Sequence, residues 1–301
     1  MTELSCNSDR VLSVQRARML EKYRPEFFPE VAKFARKCEN FFYVRLIIKV
    51  HASGAVPGEC HVWREDGRIV AFAAAAYLNP DDAWLWGMRV DPDYRNKGVA
   101  AKFTQAQLRI VRASGRTWAG LNTLDHRKPA PTFRVMEKLG FRLEDTYADD
   151  VHWRRPRGVS APRLSPFRGF LSHSISQGRR TYFHAQQGWF CSRLIPARRQ
   201  EVDRLGFTLN GVPLMLRRWR YTEKGRRYTG VTVNLFDRPP DFQTLVPRLL
   251  ALVPKRGHMV VNYPAEWRYQ FRAAARAAIP KLRRNRGYWP STWRIYGKEL
   301  T

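Results

Sequence analysis

The run Met88-Arg-Val-Asp-Pro-Asp-Tyr-Arg-Asn-Lys-Gly-Val-Ala-Ala101 brings two cations and a glycine together where a strand gives way to a helix. Residue types of that kind, in that order, suit the binding of phosphate. Trp84 to Val90 alternates large apolar residues with a glycine and an arginine and stops at Asp91-Pro92, which predicts a strand ending at residue 90. Phe103, Leu108 and Val111 then recur at roughly helical spacing, which predicts a helix beginning just after Gly98. The first N–H groups of a helix have no intrahelical partner and lie at the positive end of its dipole, so they attract phosphate oxygens. Gly98 lets the backbone come close to a ligand, while Arg95 and Lys97 add charge. The same pattern also serves an ordinary strand-to-helix connection with a glycine cap, so the neighbours of the loop decide its reading.

With those neighbours, about residues 11–155 resemble the GCN5-related N-acetyltransferase (GNAT) superfamily. Val90 to Ala100 resembles that family's motif A, and Glu137-Lys138-Leu139-Gly140-Phe141 resembles the end of its motif B. Between them, Arg116 to Thr123 reads as a strand matching the family's fifth. Upstream, Leu12 to Arg18 is expected as a first strand, with Glu59–Arg64 and Ile69–Leu78 as a hairpin turned at Glu-Asp-Gly. The resemblance implies an α/β fold with a mixed sheet. It also implies acetyl-CoA as acyl donor, no metal, and a pantetheine arm lying between two splayed strands. Carried onto this chain, it implies contacts to that arm from the backbone of Met88, Arg89 and Val90. Arg95, Asn96, Lys97, Gly98, Val99, Ala100 and Ala101 would surround the phosphates. Asn122, on the next strand, is placed either to bond pantetheine or substrate or as a solvated strand end.

The chemistry so implied is direct attack of an amine on a thioester. A free alkylammonium has a pKa near 10, so a base or a water chain must take its proton. Asp125 and His126, just past the fifth strand, are the candidates for that role through a water; a turn with a helix cap uses the same pair of residues. Backbone N–H groups at Met88 to Val90 are positioned to stabilise an oxyanion. One departure from the family pattern stands out. Many members place a tyrosine four residues before the motif B glycine as acid for the departing thiolate, and this chain has Met136, whose thioether cannot donate a proton. Tyr147 or Tyr77 could substitute, water could protonate the thiolate, or the site could bind acyl-CoA without turnover.

The 301 residues suffice for two domains. Pro, Gly and Ser interrupt every periodic pattern around Arg155 to Pro166, so we expect a domain at 1–155, a linker at 156–168 and a second α/β domain at 169–301. In the latter, strands are expected at Tyr228–Phe236, His258–Tyr263 and Thr292–Tyr296, with helices at Phe242–Val253 and Glu266–Leu282. This order echoes the first domain and suggests a degenerate GNAT-like repeat. Its connection Asp237-Arg-Pro-Pro-Asp241 has two prolines, which lack N–H groups, and is unsuited to a pyrophosphate. The alternative is an unrelated α/β domain.

The net charge of +28 is unevenly divided. Residues 1–155 hold 26 Lys+Arg against 19 Asp+Glu, a balance of +7, and residues 156–301 hold 28 against 7, or +21. Arg217-Arg-Trp-Arg-Tyr-Thr-Glu-Lys-Gly-Arg-Arg-Tyr228 interleaves cations with aromatics, as nucleic-acid surfaces do; a hairpin with a basic outer face and aromatics turned inward has the same pattern. Trp84 and Trp86 share one strand face, either as core or as lining of an acceptor slot. The four cysteines form no CxxC pair, and no apolar run approaches a membrane span, so a reduced, cytoplasmic setting is expected. The chain therefore reads as an N-acetyltransferase acting on a small-molecule or protein amine. A nucleic-acid-associated protein using its basic half and a non-catalytic acyl-CoA module are the alternatives.

Overall fold

The computed structural model describes residues 18–124, 131–152, 155–172, 182–186, 190–194, 199–223, 226–255, 257–279 and 291–300. In chain order the strands and helices begin with β1 (Arg18–Lys22), α1 (Phe28–Lys37), α2 (Phe41–Ala52), β2 (Gly58–Glu65), β3 (Arg68–Tyr77) and β4 (Asp82–Val90). Next come α3 (Val99–Ala113), β5 (Trp118–Leu124), α4 (Pro131–Lys138), β6 (Arg142–His152), β7 (Ser165–Pro166), β8 (Tyr182–Gln186) and β9 (Phe190–Arg193). The last are α5 (Arg199–Leu205), β10 (Gly206–Leu209), β11 (Val212–Glu223), β12 (Arg226–Leu235), α6 (Phe242–Leu250), β13 (Gly257–Pro264), α7 (Arg268–Ala278) and β14 (Ser291–Glu299). They form two compact units. The first holds the described residues within Met1–Leu121, Lys128–Arg142 and Tyr296–Thr301, and the second those within Asn122–Arg127 and Leu143–Ile295.

In the first unit, β1, β2, β3 and β4 are antiparallel neighbours and β5 joins β4 in parallel. β3 reads Arg-Ile-Val-Ala-Phe-Ala-Ala-Ala-Ala-Tyr and is buried on both faces; its small side chains let helices approach closely from either side. On one face α1 and α2 bury Val31, Phe34, Val44 and Ile47 against Val62, Phe72 and Ala74. On the other, α3 and α4 bury Leu108, Val111 and Phe133 against Ala75, Leu85 and Leu121. Tyr296, near the end of β14, belongs to this second cluster, and the N–H of Leu300 donates to Thr117 O at 2.7 Å. The expected strand at Leu12–Arg18 is found at Arg18–Lys22, while residues 12–17 lie outside the described residues.

In the second unit, β6 is antiparallel to β13, β13 is parallel to β12, and β11, β10 and β7 follow antiparallel. α6 and α7 cover one face, burying Leu245, Leu249 and Phe271 against Val231, Val233, Met259 and Val261. The helix expected at Glu266–Leu282 is a single 3-10 turn, Ala265–Trp267, followed by α7; residues 280–290 lie outside the described residues. The helix expected to reach Val253 ends at Leu250.

Candidate functional site

The phosphate-binding expectation rests on the connection from β4 to α3. The N–H of Asp91 donates to Val70 O at 2.8 Å, and its carboxylate accepts from the Asp93 N–H at 2.9 Å, which sets a 3-10 turn over Pro92–Tyr94. Asn96 and Gly98 then take left-handed conformations, with φ of 61° and 78°. Gly98 is the N-cap of α3 and supplies no side-chain cap, so the first N–H groups of the helix have no capping side chain. A Cβ built on Gly98 meets nothing within 4 Å, which marks open space over the helix start. Arg95, Asn96, Lys97 and Gly98 are exposed, while Val99 is buried under Trp63 and Phe103. Arg95 Nε donates to Val90 O at 3.3 Å and Lys97 lies 5.1 Å from the Tyr94 ring centre; neither forms an ion pair among the described residues. Asp91 and Asp93 are instead held by Lys37 at 2.8 and 2.6 Å, which keeps the Asp93 carboxyl below its usual range. The loop therefore combines open N–H groups with two unspent cations, the donor set a diphosphate needs.

The start of α6, after the Asp237–Asp241 connection, is closed. The carboxylate of Asp241 accepts from the N–H groups of Gln243 and Thr244 at 2.8 and 3.0 Å, so a negative charge already occupies that helix start.

Beside the open loop the sheet parts. Asp82, Ala83 and Trp84 pair with Trp118, Ala119 and Gly120, and among the described residues the parallel pairing goes no further, although β4 runs on to Val90. Trp84 and Trp118 stack at the branch point, 6.2 Å apart, both buried. Gly120 admits them, since a Cβ there would lie 1.9 Å from Trp118 Cη2 and 2.7 Å from Trp84 Cζ3. Just beyond, β4 bulges: Ala74 faces Trp86 but Phe72 faces Arg89, and Gly87 between them has φ of 74°. Met88 and Val90 consequently pack toward Val99 and Phe103 on the α3 side. Trp86 lies on the α1–α2 side, where its Nε1 donates to His51 Nε2 at 3.3 Å and its ring meets Tyr43 edge-on at 6.3 Å. Trp84 is thus core and Trp86 half-buried. Burial pushes the His51 imidazole down to about 4, leaving it neutral at pH 7.

The other anticipated residues are scattered. Asp125 and His126 lie outside the described residues. In the second unit Asn122 and Tyr147 meet each other: Asn122 Nδ2 donates to the Tyr147 hydroxyl at 2.8 Å, and the Tyr147 ring stacks on Trp293 at 6.5 Å. Tyr147 is fully buried, which raises its pKa well above the ordinary value. In the first unit the Tyr77 hydroxyl donates to Glu59 Oε1 at 2.7 Å, and burial, then that carboxylate, push it up to about 12. Glu59 in turn is held below the usual carboxylate range, first by His61 and further by Tyr77 and Lys22. Met136 is buried among Leu85, Leu121 and Phe133, and Tyr296 joins the same cluster with its ring 5.8 Å from Phe133. No local signal points to Tyr296, because its neighbours are more than 150 residues away in the chain.

The basic stretch forms the β11–β12 hairpin, with residues 224–225 outside the described residues. Arg218 and Arg220 are exposed. Trp219 points to the other side, where its Nε1 donates to Thr232 Oγ1 at 3.2 Å and its ring meets His258 at 5.2 Å. Trp219 and the exposed Arg218 and Arg220 thus lie on opposite faces of the hairpin. Arg272 Nε pairs with Asp150 at 3.1 Å. Among the described residues there is no cluster of metal-ligating side chains, and no helix is long and apolar enough to cross a membrane.

Comparison with known proteins bears on the first unit most directly. The model of the Acetyltransferase (GNAT) family matches residues 16–141. No curated protein matches the sequence. Among solved structures, one from Thermoplasma acidophilum assigned as an acetyltransferase has 15% identity and a TM-score of 0.51, covering 93% of this chain and 99% of that one. Another so assigned, from Pyrococcus horikoshii, has 10% identity and a TM-score of 0.49, with 94% and 90% coverage. The ribosomal-protein-S18-alanine N-acetyltransferase of Escherichia coli has 19% identity and a TM-score of 0.36, covering 46% of this chain and 83% of that one.

Proposed function

We propose that the chain transfers the acetyl group of acetyl-CoA to the nitrogen of a primary amine, a reading supported by the match of residues 16–141 to the GNAT acetyltransferase family model. The observation that carries this reading is the uncapped start of α3 at Gly98 beside strands that part after Trp84 and Gly120. The pyrophosphate would be held by the N–H groups following Gly98 together with Arg95 and Lys97. The thioester arm would lie along the free edge of Leu85–Val90, where a backbone N–H of Met88–Val90 stabilises the oxyanion. The amine nitrogen attacks the thioester carbonyl carbon, the C–S bond breaks, the nitrogen loses a proton and the thiolate gains one.

For the proton taken by the thiolate we assign Tyr296. It shares a cluster with Met136 and with Leu85 and Leu121, the first residues beyond the parting of the strands. Tyr77 is less suited, because its hydroxyl is committed to Glu59. Asp125 and His126 are our assignment for relaying the proton from the amine, tested by Asp125→Asn and His126→Gln.

The experiment is thiol release from acetyl-CoA by the purified chain across amino acids, amines and short peptides, with Gly98→Glu as control. Release with one amine class, abolished in the variant, supports the enzyme. Acetyl-CoA binding without release from any acceptor favours a non-catalytic acyl-CoA module, the reading to which the buried thioether at Met136 points.

A further inference from the structure

Arg89, like Arg116, is a half-buried cation of the first unit with no carboxylate partner among the described residues. Arg64, by contrast, pairs with Glu21 and Glu30. Arg89 has no carboxylate within ion-pair distance among the described residues. Nη1 donates to Met88 O at 2.7 Å and Nη2 to Asn40 Oδ1 at 3.3 Å, and the guanidinium lies 4.9 Å from the Tyr43 ring centre. Its Nε is buried and donates to nothing among the described residues. Partial burial lowers its pKa, and no carboxylate offsets the effect. Holding a guanidinium out of water with only neutral partners is unfavourable unless an anion arrives to complete it.

The bulge at Gly87 determines where that anion must come from. It turns Arg89 and Trp86 to the α1–α2 side, opposite the start of α3, whereas Met88 and Val90 fill the α3 side. The coenzyme phosphates belong with the exposed loop at Arg95–Gly98 and have their own cations there. With the coenzyme on the α3 side, the side of β4 left to a second substrate is that of Trp86, Tyr43 and the neutral His51. The anion is therefore carried by the acceptor, and it lies within a few bonds of the amine, because Arg89 adjoins the backbone at which the amine reacts.

We infer that the acceptor is a small amino carboxylate, a free amino acid or a close relative, whose carboxylate is bound by Arg89 with Asn40 and Tyr43 orienting the guanidinium. This inference rests on the acetyl-transfer reading for the position of the amine, but not for the binding of the carboxylate.

The test uses the full chain and matched amino acids and amino acid amides. In thiol release, acids are expected to exceed their amides in kcat/KM on the order of 100-fold. Arg89→Gln should erase that ratio by raising KM for the acids far more than for their amides, and Arg89→Lys should restore only part of it. Asn40→Ala, which keeps the charge and removes one tether, should weaken the acids several-fold while leaving them ahead of the amides. Calorimetry of the same ligands on CoA-saturated protein reads the carboxylate site without turnover. Acids binding there in preference to amides, and losing that preference in Arg89→Gln, supports the inference even if no acetyl transfer is found, which would overturn the acetyl-transfer reading alone. Amides matching acids in both assays, or a preference unchanged in Arg89→Gln protein that melts like the parent, overturns the inference and leaves acetyl transfer standing.

Discussion

At the scale of single residues, two positions separate ligand binding from folding. Gly98 has φ of 78° and open space where a Cβ would sit. Gly98→Glu should weaken acetyl-CoA binding about 100-fold, because a carboxylate then faces the phosphates. The left-handed backbone adds only about 1 kcal/mol of instability. Titration calorimetry and thermal melting check the two halves separately; equal loss in both would remove Gly98 from the site. Tyr296 is the second position. Tyr296→Phe removes the hydroxyl and keeps the ring against Phe133, so kcat should fall about tenfold, a modest loss because a thiol of pKa near 8.5 leaves readily at neutral pH. An unchanged kcat would return the proton to water. The start of α3 after Gly98 was legible in the sequence because a helix start is a local event. Arg89 was legible only as a backbone position, since its meaning lies in contacts with Asn40 and Tyr43, almost 50 residues away.

At the scale of elements, the parting of β4 and β5 depends on what stands at the branch. Gly120→Ala places a methyl group inside the Trp84–Trp118 stack and should cost about 2 kcal/mol in urea unfolding. Gly115→Ala, on a surface turn with nothing near its Cβ, should cost less, through its φ of 85° alone. If the two variants unfold alike, the stack does not depend on Gly120. The strands around this point follow the alternation of their side chains, and β2, β3 and β4 lie where the pattern predicts. α1 and α2 had no such clarity. Phe41-Phe-Tyr-Val-Arg-Leu-Ile-Ile48 is almost continuously apolar, and such a run carries no period to distinguish helix from buried strand. Only the sheet face beneath it, with Phe72 and Val62, makes it a helix.

At the scale of the whole molecule, buried imidazoles tie stability to pH. His152 is 3% exposed, packs against Phe271, and has neither ring nitrogen hydrogen-bonded among the described residues; burial pushes it down to about 4. His258 and His51 are lowered to about 4 as well. Unfolding releases each to the ordinary value of about 6.5, so between pH 6.5 and 4 the unfolded chain binds more protons and stability falls with acidification. His152 alone accounts for about 3 kcal/mol once pH 4 is reached. Urea unfolding at pH 7 and 4.5 should reveal the slope, and His152→Phe should flatten it. A slope that is the same in parent and variant would mean that His152 is not the source.

β14 has a temporal consequence. Its final residues, Tyr296 onward, belong to the first unit and supply Tyr296 to the cluster around Met136. A ribosome adds roughly 5–20 residues per second, so the stretch between Arg142 and Tyr296 takes on the order of ten to thirty seconds to synthesise. Throughout that interval the nascent first unit has the loop between β4 and α3 but not Tyr296 onward, and Leu85, Leu121 and Phe133 lack their final cover. Translation thus withholds a complete first unit until Tyr296 has been added, and a chain stalled midway should be a client for chaperones and proteases rather than a free, folded first unit.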